Sequence, residues 1–128
     1  AAELGTDYAS VDKEKIIEWD SEIILVDAAA FFISPSAFDE LRTDPSYQQL
    51  TAVEQGQVYG VWPYNLYNAN LENILINTYG IGQILYPEQF EDIDLPNKAD
   101  EILSFFVDEP LYDTLVELYQ VDYSQVEL

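Results

Sequence analysis

A chain of 128 residues with 48% hydrophobic content is long enough for one domain with its own core and too apolar to remain disordered. Its 25 acidic and four basic side chains give a net charge of -21, which repels nucleic-acid phosphates and anionic headgroups and removes both from the expected partners. Cysteine, histidine and methionine are absent, which excludes disulfides, thiolate chemistry, the commonest general base and the soft metal ligands together.

The N-terminal Ala1-Ala2-Glu3-Leu4-Gly5 has neither an initiating Met nor the basic and apolar regions of a signal peptide, so the sequence reads as an excised or processed piece. Ser10 or Asp12 is placed to cap a helix over residues 11–19, with Ile16, Ile17 and Trp19 on its apolar side. The aliphatic centre of residues 22–27 then reads as a strand buried on both faces, in a parallel sheet because a helix precedes it. Small and aromatic residues 28–33 form the loop beyond it. Ser34-Pro35 is expected to open a helix to about Leu41, with Pro35 at the first helical position, and a turn follows over 45–50.

Residues 57–61 read as a second strand, reached through a turn at Gly56 and ended by Pro63, which leaves 62–68 as the loop at its C-terminal end. From Asn70 the positions Leu71, Ile74, Leu75, Thr78, Ile81, Gly82 and Leu85 recur at helical spacing until Pro87, predicting the longest helix and the central packing element. Asn97 is expected to cap a helix over 99–107 whose Ile102, Leu103, Phe105 and Phe106 face inward. Pro110 opens a last helix to about Tyr119, and residues 122–128 are expected to fray. The predicted fold class is α/β, a single unit over residues 1–121 with a small, mainly parallel sheet flanked by helices. Two strands alone are marginal in water, so further strands from upstream or from a second copy are expected.

Three stretches carry a family resemblance. Residues 11–24 hold a capped helix with an internal Glu, then Trp19-Asp20, then an aliphatic strand, with Ser21-Glu22 where the pattern has Pro-Asp. Residues 50–59 are similar to the pattern L-x-A-V-x-x-G-x-V-Y before a late strand. The third stretch combines Pro63-Tyr64-Asn65, residues 70–75 and Leu85-Tyr86-Pro87-Glu88-Gln89-Phe90. In this order and spacing they resemble the C-terminal half of the helical-backbone substrate-binding proteins of ABC importers for siderophores, haem, cobalamin, molybdate or tungstate, in an archaeal-like branch. The resemblance implies a Rossmann-like lobe, an absent N-terminal lobe joined by a long helix, and an extracytoplasmic location. It implies a binding protein and not an enzyme, with a metal chelate or oxyanion held between the lobes.

Ligands of open α/β sheets lie beyond the carboxyl ends of the strands, here at residues 27–32 and 62–67. Trp62, Tyr64, Tyr67, Phe31 and Phe32 offer flat apolar surface there, and Asp27, Asn65 and the tyrosine hydroxyls offer hydrogen bonds. Trp62 and Phe31 fit equally well as core residues. Tyr64 and Asn65 are the stronger candidates, being a polar pair between Pro63 and a long helix. The resemblance further implies that Glu14, with Glu18 one turn on, docks against arginines of the membrane permease; both also read as ordinary helix-surface acids.

Asp92, Asp94, Asn97, Asp100 and Glu101 lack the glycine and terminal Glu of a calcium loop, so no metal or cofactor is expected. Paired acids such as Asp39 and Glu40 suit a solvated helix face better than a carboxylate-dependent hydrolase. A stand-alone sensor lobe without transport is a further alternative. An isolated lobe would leave its interlobe surface exposed, and a homo-oligomer is expected to cover it.

Overall fold

A computed structural model describes residues 11–32, 35–65 and 69–128, and these form a mixed α/β unit. Strand β1 (Ile24–Asp27) pairs in parallel with β2 (Val58–Val61), from Ile24 opposite Val58 to Asp27 opposite Val61. Helix α1 (Lys13–Trp19) precedes β1, and α2 (Ala37–Thr43) and the single turn α3 (Thr51–Glu54) connect the strands. Helix α4 (Leu71–Leu85) follows β2, and α5 (Leu95–Val107) and α6 (Tyr112–Tyr119) complete the described helices. Short 3-10 turns occupy Ala28–Phe32 and Pro87–Gln89.

The parallel pairing follows the sequence expectation, but burial of β1 is one-sided. Val26 is buried and Leu25 is exposed, because alternate side chains of a strand point to opposite faces and only one face meets the core. Helix α1 likewise buries no residue: Ile16 packs against the core while Ile17 and Trp19 are exposed. Its backbone N-cap is Asp12, without a side-chain bond; Ser10 lies outside the described residues. At its other end the Asp20 carboxylate accepts from Thr51 N (2.7 Å) and Thr51 Oγ1 (2.8 Å), fastening α1 to the start of α3.

Two helix starts differ from expectation because a neighbouring side chain caps better. Ser36 caps α2, later than the start expected at Ser34-Pro35: its hydroxyl accepts from Asp39 N (3.0 Å) and the Asp39 carboxylate accepts from Ser36 N (3.1 Å), while Ser34 lies outside the described residues. Pro35 therefore stands before the cap instead of at the first helical position. Asp94 caps α5 by accepting from Asn97 N (3.0 Å), so Asn97 lies inside a helix that begins at Leu95. The buried stripe of α5 is Leu95, Ala99 and Leu103, at i, i+4 spacing. Phe105 is 82% exposed, and Phe106 stands edge-on to it with ring centroids 5.2 Å apart; the pair expected to face inward points out.

The larger correction concerns α4. Its buried positions include Asn73, Ile76, Asn77 and Gly80, whereas Leu71, Ile74, Leu75, Thr78 and Leu85 are exposed, Leu71 to 56%. Most of the face read from periodicity as the packing surface is the outer face; of its positions only Gly82 is buried and Ile81 half-buried. Its polar opposite is buried because two amides there satisfy the backbone that leaves β2.

The segment expected to fray is also ordered. Val126 N donates to Val58 O (2.8 Å) and Gln125 bridges Tyr59 in antiparallel sense, so residues 125–126 dock on the edge of β2 that faces away from β1. Val121 and Tyr123 are buried behind them. Glycines make this approach possible: a Cβ at Gly60 would overlap Val121, and one at Gly80 would overlap the Tyr123 ring.

The core centres on Trp62, 0% exposed, with the rings of Tyr112, Tyr119 and Tyr123 at 5.6, 5.6 and 5.8 Å. Trp62 Nε1 donates to Val121 O (3.0 Å), so the one polar atom of the indole is satisfied inside. Burial, assisted by Asp122 and Asp113, pushes the Tyr112 phenol up to about 12, and burial also pushes Tyr123 up. A tyrosine whose folded pKa is raised stays protonated in the fold while the unfolded chain ionises from its ordinary value of 10.0. The unfolded state then binds fewer protons, so stability is complete below that value and falls as pH rises from 10 towards 12. Urea midpoints across this alkaline range should fall steeply, and less steeply in Tyr112→Phe; a flat profile would contradict the buried tyrosine cluster.

Candidate functional site

Because β1 and β2 are parallel, their carboxyl ends emerge side by side, with Asp27 opposite Val61. After β1 the chain turns at once into Ala28–Phe32, and Asp27 Oδ1 accepts from Ala29 N (2.8 Å), closing the turn and occupying one carboxylate oxygen. After β2 the chain is held by α4. Asn77 clamps Trp62 at both backbone groups: Oδ1 accepts from Trp62 N (3.0 Å) and Nδ2 donates to Trp62 O (2.8 Å). Asn73 Nδ2 donates to Pro63 O (2.7 Å), and Asn70 N donates to Tyr64 O (2.7 Å). The two inner residues, Trp62 and Pro63, are buried, and Tyr64 and Asn65 are delivered to the surface.

The site residues expected from sequence therefore separate. Tyr64 and Asn65 are exposed at the strand end, and Asp27 is half-buried beside them along the sheet. Trp62 is a core residue: its ring is enclosed by three tyrosines and offers no face to a ligand. Phe31 and Phe32 lie on the backbone of the 3-10 turn, and Tyr67 lies outside the described residues. Glu14 is exposed in the first turn of α1. Glu18 is exposed too, with both carboxylate oxygens 2.9 Å from Lys15 Nζ.

Two grooves flank the strand ends. One, of about 600 Å³, lies against β1, α1 and α2 and includes Asp27, Ala29, Glu40, Tyr47 and Asn65 in its lining. The other, of about 670 Å³, runs along the outer face of α4 between the end of β2 and Phe90; Val61, Tyr64, Ile74, Ile81, Leu85 and Tyr86 line it. Tyr64 thus faces one groove and Asn65 the other. The second groove is not legible in the sequence because the periodicity of its α4 residues, Ile74, Ile81 and Leu85, reads as a packing face. Asn73 and Asn77, four residues apart and so on one side of the helix, are the signal the sequence offers.

Charge distinguishes this second region further. The chain carries an acid about every fifth residue, yet residues 55–87, which supply β2, its loop and α4, contain one charged side chain, Glu72. The four cations are engaged elsewhere: Lys13 with Asp44, Lys15 with Glu18, Lys98 with Glu101, and Arg42 with the carbonyl of Glu127 (3.0 Å). Among the described residues no helix is long and apolar enough to cross a membrane, and no group of three or more acidic side chains is arranged to hold a metal ion. No family model matches the chain, and no curated protein matches it.

Proposed function

We propose that the chain is the Rossmann-like C-terminal lobe of an extracytoplasmic substrate-binding protein of an ABC importer, a binding component and not an enzyme. The observation that carries this reading is the pairing of two features at one edge. Parallel strand ends deliver Tyr64, Asn65 and Asp27 to the surface, and beside them α4 turns an apolar, nearly uncharged face outward on a protein of charge -21. A solitary domain gains nothing by exposing Leu71, Ile74 and Leu75 on one helix; a lobe that closes on a ligand and a counterpart lobe does. The missing N-terminal lobe is the expected occupant of the remainder of that face. Glu14, unpaired among the described residues, suits docking against arginines of a permease, with Glu18 beside it already held by Lys15.

In the full two-lobe protein, Tyr64→Ala combined with Asn65→Ala should weaken ligand binding at least tenfold, since one lost hydrogen bond and one lost stacking surface together are worth about 1.4 kcal/mol. Calorimetry against a ferric hydroxamate, haemin, cobalamin and molybdate checks this. Unaltered affinity for whichever of them binds would remove the strand-end segment from the site.

A further inference from the structure

We infer that the groove on the outer face of α4 receives the uncharged, apolar face of an organic ligand, such as the ring system or hydrocarbon shell of a chelate, and not a hydrated oxyanion. The inference rests on the binding-lobe reading above and narrows its ligand class.

Recognition of an oxyanion needs cationic side chains or several converging N–H or O–H donors. None of the four cations of the chain lines the groove, and all four are engaged elsewhere. The polar groups of its floor are already used within the fold. Asn77 Oδ1 accepts from Trp62 N and from Tyr123 Oη (2.6 Å), its Nδ2 donates to Trp62 O, and Thr78 Oγ1 donates to Ile74 O (2.9 Å). The surrounding net charge of -21 adds a long-range penalty for any anion that approaches. Among the described residues no carboxylate lines the groove either, which leaves a cation without a partner there.

What the groove does offer is aliphatic wall and aromatic edge. Ile74, Ile81 and Leu85 form one side, and Phe90 packs so closely on Gly82 that a Cβ there would meet its ring at 2.5 Å. Tyr64 and Tyr86 stand at the exposed rim, Tyr86 58% exposed, where phenols combine a flat face with a polar tip. A volume of about 670 Å³ accommodates a ring-bearing molecule rather than a tetrahedral ion.

The test titrates the 128-residue chain with Nile red, an uncharged polycyclic dye, and separately with molybdate. Saturable dye binding with a blue-shifted emission is expected, with no heat from molybdate at millimolar concentration. Ile74→Glu and Leu85→Glu each place a carboxylate on a partly exposed wall and should weaken dye binding at least tenfold. Phe105→Glu, on the separate aromatic patch of α5, should leave it unchanged. Dye affinity untouched by both groove substitutions overturns the assignment, as does molybdate binding abolished by them. Self-association lost in Ile74→Glu, with no dye bound by the parent, also overturns it and gives the face to a second copy. Groove-dependent dye binding in a chain whose full-length form serves no importer supports the groove while removing the transport reading. Molybdate held at this groove by a full-length protein that does serve one overturns the inference alone.

Discussion

Ending the chain at Gln120 is expected to abolish cooperative folding or to lower stability by about 5 kcal/mol, a large share of the roughly 5–15 kcal/mol that holds a domain of ordinary size. Residues 121–128 bury Val121 and Tyr123, and each such side chain contributes about 1.5–3 kcal/mol through removal from water. Their loss also strips Trp62 Nε1 of its acceptor, Val121 O, and leaves an indole N–H unpaired in the core. The outer edge of β2 is opened at the same time, because Val58 O loses the Val126 N–H. Near-ultraviolet circular dichroism of the aromatic cluster, followed through urea unfolding, reads the effect directly. Coincident unfolding midpoints for the truncated and complete chains would mean that the segment frays as its sequence suggested.

Expectations taken from sequence held wherever one local signal had no competitor. The aliphatic centre of β1 and the Gly56 and Pro63 boundaries of β2 placed both strands, and the helix before β1 pointed to the parallel pairing. Where a second capping side chain stands within three residues, the sequence leaves the start open: Asp94 and Ser36 form the caps, and Asn97 and Pro35 are displaced from their expected positions by three residues and two. Periodicity failed on a different ground. It reports that α4 has an apolar stripe, but not whether that stripe is covered within the same chain, so Leu71, Ile74 and Leu75 read as interior positions although they are exposed.

The candidate site was legible in part for the same reason. A polar pair just past a strand, Tyr64-Asn65, has little reason to be buried and is exposed; an aromatic one residue before Pro63 has no such mark, and Trp62 became the core. The tail carried a period-2 signal in Val121 and Tyr123 that its terminal position obscured, and its docking on β2 depends on glycines far away in sequence, at 60 and 80. Such contacts are tertiary and leave no pattern within either segment.

Asn77→Ala should destabilise the protein by about 3 kcal/mol or more, the largest effect expected of any single polar side chain here, because buried groups left unpaired cost about 1–3 kcal/mol each. Asn77 accepts from Trp62 N and from the hydroxyl of Tyr123 and donates to Trp62 O, so truncation removes three hydrogen bonds at once in the interior. Tyr123→Phe removes only one of those three bonds, so its cost should be about 1 kcal/mol. Asn77→Asp keeps the acceptor but loses the donor to Trp62 O and buries a charge, and it should be no better than alanine. The same clamp fixes where Tyr64 and Asn65 leave the core, so the alanine variant should also lose dye binding at the α4 groove under conditions in which it is still folded. Urea unfolding of the three variants, with dye titration of each in the native baseline, separates the roles. An Asn77→Ala protein within about 0.5 kcal/mol of the parent, as for an ordinary surface change, would show that the amide does not hold the strand end in place.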